Sequence, residues 1–256
     1  MSTDPSNGGD SRSATEPSTE AWNEHYRKLP PGEARPSIVD HLAEGSTPEL
    51  VWRNELGGQT WRLGDRYLKW SNDTAGIDLR REVVRLHWLE RRHPVPRVLD
   101  EGRDSGGRWF LTSAIRAQSA VAERWRSDPE PAVRAIATGL LQLHSLPADD
   151  LPTDWRSWAT RAPTKLGTRP VIHDAVIVHG DACAPNTLLD TDGLFIANVD
   201  LGDVALADRW ADLSVASMSL EWNYGPGWEP CFFDTYGIKP DPPRIKYYRA
   251  LWEAES

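Results

Sequence analysis

Three side chains set the chemistry open to this sequence. Asp181 and Asn186 lie in Val176-Ile177-Val178-His179-Gly180-Asp181-Ala182-Cys183-Ala184-Pro185-Asn186, and Asp200 closes the run Leu194-Phe195-Ile196-Ala197-Asn198-Val199 before Leu201-Gly202-Asp203. Each stretch carries an apolar run of strand length with a carboxylate at its polar end, which is how a reactive loop is mounted on a rigid support. Two carboxylates and an amide carbonyl, with no His or Cys ligand among them, make a hard oxygen donor set that suits Mg²⁺ rather than zinc. Phosphoryl transfer from a nucleotide needs such a set: a metal held by Asp and Asn, and a further Asp free to orient a hydroxyl and accept its proton. Read singly, His179-Gly180-Asp181 and Asp200-Leu201-Gly202 are also what a turn between core strands looks like, because Gly and Asp dominate turns. Their order and spacing together point to the chemistry.

Several elements must position these groups. Between the two carboxylates, Thr187-Leu188-Leu189-Asp190-Thr191-Asp192-Gly193 carries an Asp-Gly step between apolar runs and predicts a hairpin that folds Asp181, Asn186 and Asp200 into one cleft. Upstream, Leu50–Asn54, Thr60–Leu63 and Arg66–Trp70 are short and rich in β-formers, with Gly57-Gly58 and Gly64-Asp65 between them. Gly57 and Gly58 fit either a loop whose amides approach a phosphate or a plain hairpin turn. Lys69 stands out in a chain that otherwise favours Arg. Ile77 to Arg91 has Leu79, Val83, Leu86 and Leu89 at helical spacing, with Glu82 inside it. Arg108–Thr112 predicts a further strand, Pro131–Leu146 a helix ending at His144, and Ala211–Leu220 another. Glu221-Trp222-Asn223-Tyr224-Gly225-Pro226-Gly227-Trp228 reads as a loop that breaks this last helix. It suits stacking on a sugar or a cation, or else packs as a connector between helices.

The Asn five positions after Asp181 matches the kinase catalytic loop, and Asp200-Leu201-Gly202 stands where kinases carry their metal-binding tripeptide. At these residues the chain resembles the aminoglycoside phosphotransferases. The likeness extends to Ala207-Asp208-Arg209-Trp210-Ala211-Asp212-Leu213. It also takes in Phe232–Asp241 and Ile245-Lys246-Tyr247-Tyr248, which are similar to the C-terminal helices of the 3'-phosphotransferase branch. The resemblance implies an α+β, two-lobed protein-kinase-like fold with a small antiparallel-sheet N-lobe and a mainly helical C-lobe. Its divisions would be a disordered tail over 1–21, a nucleotide-binding lobe over 22–112, a hinge over 113–116 and a catalytic and substrate lobe over 117–256. It further implies ATP or GTP as co-substrate with Mg²⁺, and Asp181 as the catalytic base. Asn186 and Asp200 would be the metal ligands, and Lys69 would sit on the phosphates with Glu82 as its partner. Gly57, Gly58 and the hinge residues Ser113, Ala114 and Ile115 would lie near the nucleotide, and Asp212 would brace the catalytic loop. Glu221, Trp222, Asn223, Glu253 and Glu255 are the candidates for contact with a cationic aminoglycoside. The chain departs from its relatives between Asp149 and Asp174, where Pro152, Pro163 and Pro170 interrupt any long helix and the substrate segment is trimmed. Another small-molecule alcohol as acceptor, or a non-catalytic nucleotide-binding role for the fold, are the alternatives.

Composition narrows the classes. The 256 residues can hold two lobes, and 39% hydrophobic with 26% charged residues is ordinary for a globular chain. A formal charge of −9 argues against nucleic acid as partner and agrees with a cationic ligand. No apolar run reaches membrane-spanning length and the N-terminus lacks a signal pattern, so a cytoplasmic protein with no membrane partner is expected, as a monomer or weak dimer. Cys183 and Cys231 offer neither a disulfide framework nor a metal pair.

Overall fold

The structure, a computed structural model, describes residues 27–161 and 166–255. The tail expected over 1–21 falls outside them. After helix α1 (Ser37–Leu42), strands β1 (Glu49–Arg53), β2 (Gln59–Leu63) and β3 (Arg66–Asn72) follow as an antiparallel meander. Helix α2 (Leu79–Leu89) then crosses to β4 (Val98–Arg103) and β5 (Gly107–Ser113), giving a five-stranded antiparallel sheet in the order β1-β2-β3-β5-β4. Its register sets Lys69 opposite Thr60 on one side and Phe110 on the other, in the middle of the sheet. Val39, Trp61, Leu63, Leu68, Trp109 and Leu111 form the core under α1.

Helix α2 begins where the Asp78 carboxylate accepts from the Arg80 N–H at 3.1 Å, a conventional N-cap. Its apolar stripe, Leu79, Val83, Leu86 and Leu89, is buried in one cluster with Phe110 of the sheet and with Ile177, Leu201, Val204 and Ala205 from the other half of the molecule. Burying side chains of this size contributes roughly 1.5–3 kcal/mol each. That packing fixes the height and rotation of Glu82, one residue before Val83. The predicted helix was two residues longer at each end.

The second half is mainly helical: α3 (Glu123–Ser127), α4 (Pro129–His144), α5 (Trp210–Tyr224), α6 (Glu229–Tyr236) and α7 (Pro242–Glu255). Set among these helices are two small antiparallel sheets. One pairs β7 (Ala175–Val178) with β10 (Ala205–Asp208), and the other orders β6 (Gln118–Ser119), β8 (Thr187–Leu189) and β9 (Phe195–Asn198) as β6-β8-β9. The β8–β9 hairpin is the one expected, but its turn is longer than the Asp-Gly step suggested. Asp190 closes it by accepting from the Asp192 and Leu194 N–H groups, both at 2.9 Å. Between α4 and β7 the described chain holds neither α-helix nor strand, with a 3₁₀ turn at Trp158–Thr160, as its prolines predict.

One expectation is overturned. The loop foreseen from Glu221 is not there: α5 runs on to Tyr224, so Glu221, Trp222 and Asn223 form its last turn. Tyr224 donates to the Ala120 carbonyl at 2.8 Å and Asn223 Nδ2 to the Ser219 carbonyl at 2.8 Å, which holds the extra turn, and the break comes only at Gly225, whose φ of +81° ends the helix. Among the described residues no helix is long and apolar enough to cross a membrane.

Candidate active site

The β7–β10 ribbon delivers the reactive loops. Asp181 follows the end of β7 by three residues, and the Asp200–Asp203 segment leads straight into β10. The loop between β7 and β8 is shaped from behind by Asp212, fully buried in the first turn of α5. Its carboxylate accepts from the His179 N–H at 2.5 Å, from the Gly180 N–H at 3.0 Å and from His144 Nε2 at 3.0 Å. Burial pushes this carboxyl up, but the His144 hydrogen bond and charge and the His179 contacts bring it below the ordinary range. His144 in turn bonds Tyr236 Oη at 2.7 Å, which accounts for a histidine at the end of α4 in purely structural terms. His179 is likewise a brace: its Nδ1 accepts from the Asp181 N–H at 3.2 Å. Gly180 has φ +82°, and a Cβ there would lie 2.4 Å from the Asp203 carbonyl oxygen, so only glycine lets the two loops close on each other.

Within this frame Asn186 Nδ2 donates to the Asp181 carboxylate at 2.9 Å and to the Asp181 carbonyl at 3.0 Å. With the nitrogen so engaged, the amide oxygen is the atom left to face a cation. The Asn186 carbonyl accepts from the Val199 N–H at 3.0 Å, which locks the residue to the segment carrying Asp200. Asp200 has φ +62°, a left-handed conformation that Asp tolerates better than most residues. From the sheet, Lys69 Nζ reaches across to Glu82 at 2.8 Å and to Asp200 Oδ1 at 2.7 Å. Burial alone would push the ammonium down, but Asp200 and Glu82 overcome it and hold it above its ordinary value. The Lys69 charge holds Asp200 below the carboxylate range. Burial, followed by the charge of Asp200, raises Asp181. Burial also raises Glu82 against the pull of Lys69. Two carboxylates of opposite tendency stand side by side, one made a firm anion and one made more basic, as a proton acceptor beside a cation ligand requires. The oxygen atoms of Asn186 and Asp200, with no sulfur or imidazole among them, fit a hard divalent ion.

The other expected residues are placed less tightly. Gly57 and Gly58 close the β1–β2 turn, and both their N–H groups are spent on Asn54, at 3.0 and 2.7 Å. This is the hairpin alternative, with no glycine amide left for a phosphate. The Ala114 N–H is taken by the Asp65 carbonyl at 2.7 Å, so in Ser113–Ile115 that amide is not open to a base. Glu221, Trp222 and Glu253 are exposed, and Asn223 is tied to Ser219. Glu255 ends α7, and its side chain lies outside what is described.

Sequence reasoning missed several groups. Trp158 Nε1 donates to the Gly180 carbonyl, and the Trp158 ring packs edge-on against Trp252 at 5.1 Å. Ser219 Oγ accepts from the Ala184 N–H at 2.9 Å. His93, buried after α2, bonds the Asn198 amide oxygen at 2.8 Å and so joins the first half to the hairpin. Only Asp203, adjoining Gly202, carried a sequence signal that could have flagged it.

Comparison with known proteins follows the same lines. The family described as "Phosphotransferase enzyme family" matches residues 42–172 and 165–248. The chain is 32% identical over 219 residues to an aminoglycoside 3'-phosphotransferase of Streptomyces fradiae, covering 71% of this chain and 81% of that protein. The crystal structure of an aminoglycoside-3'-phosphotransferase of type VIII superposes with a TM-score of 0.68 at 25% identity, over 85% of this chain and 99% of that one. An aminoglycoside phosphotransferase from Streptomyces rimosus ATCC10970, solved with ADP and streptomycin, shares the fold at 24% identity with a TM-score of 0.63, over 83% of this chain and 93% of that one.

Proposed function

Because the chain belongs to the aminoglycoside phosphotransferase family, we propose that it moves the γ-phosphoryl group of ATP or GTP to a hydroxyl of an aminoglycoside antibiotic. The modification adds negative charge to a cationic drug and gives resistance. The observation that carries the reading is the bridge made by Lys69, 2.8 Å from Glu82 and 2.7 Å from Asp200, next to an Asp181 that Asn186 holds at 2.9 Å.

In this reading residues 22–112 form the nucleotide lobe, 113–116 the hinge and 117–256 the catalytic lobe. Lys69, steadied by Glu82, positions the α- and β-phosphates. Asn186 through its amide oxygen and Asp200 through its carboxylate would hold Mg²⁺, which when bound neutralises charge on the phosphates. Asp181, its basicity raised by burial and by Asp200, orients the acceptor hydroxyl and takes its proton as the oxygen attacks in line. Asp212 holds the loop so that this oxygen is not displaced. The half-buried reaction centre leaves the acceptor to be gripped by the exposed end of α5, with Glu221 and Trp222, and by Glu253 on α7.

The test is nucleotide turnover with Mg²⁺ against a panel of aminoglycosides, with Asp181→Asn as control. Drug-stimulated turnover that the variant abolishes supports the reading. Nucleotide binding without stimulation by any drug, or stimulation that survives in the variant, would overturn it.

A further inference from the structure

A cavity of about 590 Å³ opens beside the catalytic loop, lined by none of Lys69, Glu82, Asp181, Asn186 or Asp200. Its walls are the first turns of α2, the trimmed segment around Trp155–Arg161, and Asp203. In a chain of net charge −9 the lining reverses sign: five arginines and three aspartates face it, a formal charge of +2. The aspartates are partly committed, since Asp78 caps α2 and Asp203 pairs with Arg81 at 3.0 Å.

Arg80, Arg85 and Arg156 bond no carboxylate among the described residues. Arg85 is 3% exposed, and its guanidinium lies over the Trp155 ring at 4.8 Å. It donates only to carbonyls, those of Val204 at 2.8 Å, Arg81 at 3.1 Å and Arg156 at 3.3 Å. A guanidinium has five N–H donors, so one on each terminal nitrogen is left over and no carboxylate bonds the buried charge. Burial, and then the neighbouring Arg81, lowers its proton affinity, against the opposing charges of Asp203, Asp154 and Asp78. Arg156 also bonds only carbonyls, of Thr153 at 2.6 Å and Trp155 at 3.1 Å. Arg80 is exposed at the rim, with no ion pair from its guanidinium among the described residues. Forked donors of this kind, clustered around one cavity, match the oxygens of a phosphate.

We propose that this cavity is a second binding site, one that takes a phosphate group carried by a sugar-sized molecule or free in solution. The volume lies within the range of small-molecule sites, with room for a sugar attached to the phosphate. Trp158, at the inner wall, donates to the Gly180 carbonyl, and Asp203 packs its backbone on Gly180, so an occupant that draws Arg81 from Asp203 touches the loop that carries Asp181.

Calorimetry on the full chain saturated with a non-hydrolysable ATP analogue and Mg²⁺, so that the nucleotide's own phosphate contacts are filled, tests this with glucose 6-phosphate, inorganic phosphate and glucose. Both anions should bind and glucose should not. Binding should weaken with salt, and Arg80→Ala with Arg156→Ala should raise Kd about tenfold or more. A sugar phosphate that binds tighter than inorganic phosphate names a monoester as the ligand, and equal affinities name free phosphate. No heat from either anion at millimolar concentration, or equal binding by the double variant, would overturn the site. So would tungstate soaked into crystals that gives no anomalous peak between Arg80, Arg85 and Arg156.

Discussion

Around Lys69, Asp181, Asn186 and Asp200 each charged or amide side chain is bonded to another of the set, or to Glu82, within 2.9 Å. On the proposed acceptor side, Glu221, Trp222 and Glu253 carry no side-chain hydrogen bond or ion pair among the described residues, and Trp222 is 54% exposed. The groups proposed to handle phosphate are over-determined by their neighbours, whereas those proposed to face the acceptor are set only by the helices they ride on. In the proposed reading, chemistry that depends on tenths of an ångström is pinned by charge, and recognition of a cationic drug is left to an adaptable surface.

Substitutions should sharpen this contrast. The largest effect is expected for Asp181→Asn, which keeps the shape and the Asn186 contact but removes the base: kcat should fall about 10²–10⁴-fold with the drug KM little changed, as steady-state kinetics would show. Lys69→Met comes next. It strands Glu82 and Asp200 without their shared cation, so nucleotide KM should rise and kcat fall together, by about tenfold or more each. A drug KM that moved instead would break the division between the two regions.

A third test is thermodynamic. Burial holds the His93 imidazole down at about 4, against an ordinary value near 6.5. Since the folded state favours the neutral ring, its contribution is whole above pH 6.5 and is lost as pH falls from there toward 4. Denaturant titration between pH 7 and 5 should therefore show a loss of about 2 kcal/mol that His93→Gln removes. The smallest effects belong to the acceptor side. Glu221→Gln or Trp222→Ala should change drug KM by about two- to tenfold and stability by less than about 0.5 kcal/mol. Loss of kcat in either would show that the end of α5 is part of the reaction centre after all.

This asymmetry also decided what could be read from the residues alone. Lys69, Glu82, Asp181, Asn186 and Asp200 were legible because their chemistry demands fixed types at fixed separations, and the strands and helices beneath them have plain periodicity. The end of α5 misled, since Trp, Asn and Tyr before Gly225 look like loop chemistry. Its helix continues because Tyr224 and Asn223 find partners on distant or preceding residues, a tertiary matter no local pattern reports. Gly57 and Gly58 were ambiguous for a related reason: which donors a turn uses up depends on where the Asn54 side chain points. Asp212 acts on backbone 32 positions away, which no periodicity reports, and its bracing role was anticipated only through the family resemblance. The arginine-lined cavity is assembled from three separate stretches and has no linear signature at all.

The Lys69–Asp200 contact spans 131 positions of chain. Closing so long a loop is entropically slow compared with forming a hairpin or a helix turn. After dilution from denaturant, helix signal should return before turnover does, because the ammonium meets its second carboxylate only once both halves have formed and docked. Catalytic competence in this chain is then a timer for its last folding event, and a nascent copy on the ribosome stays inert until the segment carrying Asp200 has emerged and found the sheet made long before it.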